Sequence, residues 1–103
     1  MSFKSTHNHG FQMTFENGFT ISVQWGTGNY CGRRFLTANP NTEMQHPIVE
    51  SSSAEIAIWH KDSDTWFDFG NDQVKGWCEP NEVGIWISKI IQCKDLSDLY
   101  KMV

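Results

Sequence analysis

Three cysteines and four histidines are the residues here best equipped for covalent or metal chemistry. Cys31, Cys78 and Cys93 are odd in number and have no CxxC spacing, so neither a disulfide framework nor a zinc ribbon follows from them. His7 and His9, with His46 or a cysteine, could supply imidazole ligands, but their spacing matches no defined zinc pattern. A Cys–His dyad, or a carboxylate pair drawn from Asp62, Asp64, Asp68 and Asp72, is compositionally available, yet nothing in the spacing forces either. The loop that starts at Lys61 and Asp62 lacks the glycine and the distal glutamate of a calcium loop. The sequence therefore favours a non-enzymatic protein, with no cofactor and no metal.

Two other groups of residues suit recognition better than catalysis. The first is a glycine-rich stretch, Gly26, Gly28 and Gly32 with Tyr30, followed by Arg33 and Arg34. Glycines let backbone amides approach an anion, arginines pair with phosphate or carboxylate, and a tyrosine ring can stack on a base. No helical pattern follows the stretch and no Gly-Lys-Ser/Thr closes it, so it is neither a dinucleotide fingerprint nor a phosphate loop. Its bland counterpart is a set of turn glycines beside two solvated arginines. The second group is Trp59 and Trp66. Placed on one exposed face they form an aromatic platform for a partner or for a second copy of the chain. Covered by a helix or loop, they are core. The sequence leaves that choice open.

The elements that must position these residues follow from periodicity. Phe11 to Phe15 and Phe19 to Trp25 both alternate apolar and polar residues, as half-buried strands do. A two-residue turn between them would set Phe15 opposite Thr20, whereas a three-residue loop of Glu16, Asn17 and Gly18 sets Phe15 opposite Phe19, Met13 opposite Ile21 and Phe11 opposite Val23. Only the second register gives one wholly apolar face, with Gly18 as the left-handed residue of the turn. Residues Ala54 to His60 and Thr65 to Phe69 alternate in the same way around a Lys61–Asp64 loop. They predict a second hairpin with Ile56, Ile58, Phe67 and Phe69 on one side and Trp59 opposite Trp66 on the other. Residues 73–77 predict a short edge strand, and His46 to Val49 a short extended piece.

Pro80 and Glu82 suit the first turn of a helix whose apolar stripe is Val83, Trp86, Ile87, Ile90 and Ile91. Asp95 is placed to cap a second short helix carrying Leu96, Leu99, Tyr100 and Val103. The predicted fold is α+β: an antiparallel sheet of two hairpins plus a short edge strand, packed by one or two C-terminal helices. The 103 residues fit one domain, 1–103, with residues 1–10 expected to be a flexible arm.

Composition bounds the partners. Aromatics make up 14% of the chain, including five Trp, and such side chains enlarge what a small core can bury. A net charge of −4 argues against a nucleic-acid partner, which would call for a basic surface. No signal-like segment and no membrane-length apolar run is present, so a cytoplasmic location with no membrane attachment is expected. Finally, the stretches from Thr20 to Cys31, Ala54 to Trp59 and Val74 to Trp77 resemble small uncharacterised bacteriophage-encoded proteins. That resemblance implies a phage accessory protein that binds and redirects a host component, and brings no activity and no site residues. The expected partner is a protein or a second copy, with a small anionic ligand or nucleotide at the Gly26–Arg34 loop as the alternative.

Overall fold

The structure, a computed structural model, describes residues 1–7, 9–26, 29–31 and 50–103. Gly28, Arg33, Arg34 and the extended piece expected at His46–Val49 lie outside the described residues.

Alternation of apolar and polar residues produces the sheet. Strands β1 (Ser2–Ser5), β2 (Gly10–Thr14), β3 (Phe19–Gln24), β4 (Ala54–His60) and β5 (Lys75–Cys78) form an antiparallel sheet in the order β1-β2-β3-β4-β5. β2 and β3 pair Phe11 with Val23 and Met13 with Ile21, and the ladder closes with the Phe15 N–H donating to the Phe19 carbonyl at 2.8 Å. This is the register that burial of one face requires. Gly18 carries it through the turn at φ 94°, in the left-handed region. β4 then continues the apolar rows, with Ile21 opposite Ile58 and Val23 opposite Ile56.

Two helices follow, α1 (Pro80–Ile90) and α2 (Leu96–Met102). Pro80 opens α1, where its missing N–H costs no helical bond. Asp95 caps α2 by accepting from the Asp98 N–H at 3.0 Å. Together with the apolar sheet face the helices enclose one core, centred on Phe19, Ile21, Ile56, Ile58, Phe67, Ile90 and Leu99, all essentially inaccessible. The architecture is thus α+β, an antiparallel sheet packed by two C-terminal helices.

Two local expectations differ from the structure. Residues 2–5, expected within a flexible arm, pair with β2 along their whole length, from Ser2 opposite Thr14 to Ser5 opposite Phe11. A tight turn returns the chain, with the Thr6 N–H donating to the Gly10 carbonyl and the His9 N–H to the Thr6 carbonyl. The segment is short and polar but for Phe3, so its strand character comes from the template that β2 offers.

The second difference is at Thr65–Phe69, which is extended but is not a ladder strand. One backbone bond, Phe67 N–H to the Ile58 carbonyl at 2.7 Å, ties it to β4. Its other amides are taken elsewhere: Asp68 N–H donates to the Tyr100 hydroxyl at 2.8 Å and Phe69 N–H to the Asp72 carbonyl. Helix α2 and a local turn satisfy the backbone that a hairpin would have used, and β5 takes the strand position beside β4. A polar tie fastens the β2–β3 turn to the end of α1. The Asn17 amide donates to both the Ile90 and Cys93 carbonyls at 2.7 Å, adding to the 3.2 Å bond that the Cys93 N–H gives the Ile90 carbonyl at the end of the helix.

Candidate aromatic interaction site

Trp59 sits near the end of β4, opposite Thr20 in the β3 ladder, with its side chain on the face away from Ile58. Trp66 reaches it from the extended passage after the Lys61–Asp64 turn. That turn is set by the Ser63 N–H donating to the His60 carbonyl, and by Ser63 Oγ bonding the Thr65 carbonyl. The two indoles stack with centroids 5.0 Å apart and planes 25° from parallel. Parity brought the pair together correctly even though residues 65–69 are not a ladder strand. One bond at Phe67 is enough to hold Trp66 in phase.

The helices lie on the other side. Phe67 and Phe69, flanking the same passage, turn to the core face, where both rings meet Trp86 of α1, at 5.6 Å and 5.1 Å; Phe67 also stacks on Tyr100 of α2 at 4.6 Å. Neither helix covers the tryptophan pair: Trp66 stays 43% exposed and Trp59 is half-buried. Around the pair this face carries Thr20, Ser22 and Ala57, all buried. Thr14 and Thr20 share a hydroxyl bond at 2.9 Å, and the Gln24 amide donates to Ser22. Beside Trp59 lies a concavity of about 250 Å³ edged by Met1, Thr14, Phe15, Glu16, Thr20 and Lys61. The pair is therefore a partly exposed apolar patch in a mixed polar and apolar surround, and aromatic patches of this kind are enriched at protein interfaces.

Tyr30 is not part of this platform. It is 47% exposed, with its N–H donating to Glu55 Oε2 at 2.9 Å, while the Asn29 amide donates to the other oxygen at 3.3 Å. Glu55 and Trp59 both point to the outer face of β4, four residues apart and so about 13 Å along the strand. The Glu55 carboxylate thus occupies the Tyr30 amide that an anionic ligand would have used. Of the residues proposed for recognition, the structure unites Trp59 with Trp66, sets Tyr30 apart, and leaves Arg33 and Arg34 outside the described residues.

The cysteines are placed as structural groups. All three are buried and free. Burial pushes the Cys78 thiol up to about 11, with Glu82 adding to the effect and Lys75 opposing it. Cys93 is likewise raised, by burial first and then by Asp98 and Asp95. Thiols held protonated in this way are poor nucleophiles. His60 is also buried and fully engaged. Its Nδ1 accepts from the Asp62 N–H at 3.2 Å, which leaves Nε2 to donate to the Asn17 carbonyl at 2.9 Å. Among the described residues no three His, Cys, Asp or Glu side chains converge on a metal position, and no helix is long and apolar enough to cross a membrane.

Sequence reasoning missed the aromatic cluster of Phe67, Phe69, Trp86 and Tyr100, because its members come from elements whose packing periodicity does not specify. It also missed Phe3, which stands 80% exposed on β1. Comparison of the chain with protein-family models, curated proteins and solved structures finds no match.

Proposed function

We propose that this chain is a small non-enzymatic protein-interaction module whose contact surface is the Trp59/Trp66 face. The carrying observation is the stacked, partly exposed indole pair on the side of the sheet that neither helix covers. Trp supplies much contact area at little entropic cost and dominates binding energy where it is central to an interface. The protonated, buried thiols and the engaged His60 give no support to hydrolase chemistry. In keeping with the resemblance of its sequence, the reading extends to a phage accessory protein acting in the cytoplasm on a host protein. The test is a quantitative pull-down from bacterial lysate with wild-type chain and Trp66→Ala. A partner retained by the wild type and lost by the variant supports the reading. Identical retention by both, or no partner for either, counts against it.

A further inference from the structure

We propose that β1 is a self-association edge: two copies of this chain pair β1 with β1, antiparallel, about a twofold axis through Phe3. The inference rests on neither Trp59 nor Trp66 and stands independently of the proposed function.

Hydrogen-bond parity carries the argument. In an antiparallel ladder successive residues direct their N–H and C=O groups to alternate sides. Phe15 N–H donates to the Phe19 carbonyl and Trp25 N–H to the His9 carbonyl, so odd-numbered β2 positions face β3. Even-numbered ones therefore face β1, in accord with the bond from Thr6 N–H to the Gly10 carbonyl. On β1 itself Ser2 and Lys4 then face β2, while Phe3 and Ser5 direct their N–H and C=O groups outward. β1 ends the sheet, every residue of it is exposed, and Phe3 is 80% exposed. Exposed polar backbone groups in a regular strand are a template for another strand.

The opposite edge is protected, which makes the contrast informative. Trp77 of β5 lies at φ 59°, the β4–β5 register is irregular, and the Trp77 N–H is already taken by the Tyr30 carbonyl at 2.8 Å. Irregularity and a covering segment are the usual protections of an edge. β1 has neither.

Self-complementarity selects the second copy as occupant, and selects the register. A twofold axis perpendicular to the sheet keeps both helix layers on one side and pairs residues of equal parity. Centred on Phe3, it pairs all of Met1 to Ser5. Phe3 N–H meets the Phe3 carbonyl of the second copy reciprocally, and Ser5 N–H meets the Met1 carbonyl. Centred on Lys4, it sets two like charges face to face; centred on Ser2, it shortens the ladder. The Phe3 register also continues side-chain packing. Phe3, Met13, Ile21 and Ile58 form one row across the sheet on the core face, and that row ends at an exposed ring. Pairing joins two such rows into one through a Phe3–Phe3 contact. The paired segment is short and covers less than the ~1,000 Å² of a stable interface, so the association is reversible and concentration-dependent.

Sedimentation velocity from about 1 µM to about 1 mM protein tests it, a range that brackets weak association. The expected result is a mass that rises with concentration toward twice the monomer. Phe3→Pro removes an outward N–H without touching a β1–β2 bond and is expected to stay monomeric. Phe3→Lys puts like charges on the axis and is expected to do the same, deciding the matter if the proline variant unfolds. Trp66→Ala is expected to associate as the wild type does. A wild-type monomer throughout, or self-association that survives Phe3→Lys, overturns the proposal. So does self-association lost in Trp66→Ala but kept in Phe3→Lys, which would move the contact to the aromatic face.

Discussion

Asn17 does more than turn a hairpin. Its amide holds the carbonyls of Ile90 and Cys93, while its own side-chain oxygen accepts the Phe19 N–H at 3.2 Å and its carbonyl receives His60. Asn17→Ala removes the side-chain donor from both carbonyls, leaving that of Ile90 with the longer 3.2 Å bond from the Cys93 N–H, and is expected to destabilise the protein by about 1–2 kcal/mol in urea unfolding. A loss below about 0.5 kcal/mol would mean that water replaces the amide freely. Gly18, next to it, has φ 94°, and a Cβ there would also meet the Lys61 side chain at 2.9 Å. Gly18→Val is therefore expected to cost more than about 1 kcal/mol. The Cys78 thiol gives a pH signature. Its folded-state value is raised to about 11 against an ordinary 9.0, so the folded state holds this proton more tightly than the unfolded chain. That contribution is fully present below pH 9 and is lost as pH rises through the folded value. Chemical denaturation at stepped pH is expected to show stability falling from about 9 to 11, a decline that Cys78→Ala flattens.

At the scale of elements, the passage from Thr65 to Phe69 links both faces of the sheet. Trp66 goes to one side, Phe67 and Phe69 to the other, and the Asp68 N–H is held by the Tyr100 hydroxyl. Tyr100→Phe keeps the ring stacked on Phe67 and deletes that acceptor. It is expected to lower stability by about 1 kcal/mol and to speed hydrogen exchange at Asp68. Unchanged exchange would show that Tyr100 contributes only its ring. The hairpin expected here was half legible. Alternation correctly assigned the sides of Trp66, Phe67 and Phe69, because phase depends only on the chain being extended. Whether a neighbour ladders with β4 depends on competing hydrogen-bond partners, and one of those comes from α2, some thirty residues later in the chain. Residues 2–5 show the converse. Four residues around a single phenylalanine carry too little pattern to declare a strand, and β2 supplies the missing half of the ladder.

At the scale of the molecule, α1 and α2 pack on one face of the sheet and leave the indole pair on the other partly exposed. Trp66→Ala is expected to cost under about 1 kcal/mol of stability, since the ring is partly exposed, while weakening partner binding about tenfold or more. A calorimetric melt beside a binding titration separates the two effects. A variant that unfolds early and binds normally would make the pair structural.

The amino-acid sequence by itself determined the two-faced character of the strands, the three-residue turn at Glu16–Gly18, the amphipathic α1 and the Asp95 cap. Each of these is local: side-chain period, turn chemistry and capping act within a few residues. It also determined that Trp59 and Trp66 share a face. Only the tertiary structure decided that α1 and α2 pack on the Phe67/Phe69 side, that Glu55 claims the Tyr30 amide, and that β1 ends the sheet among the described residues. The physical reason is common to all three. An amphipathic element specifies that it must bury a face, and only the competition among all elements for the same apolar surface and the same backbone partners decides against what.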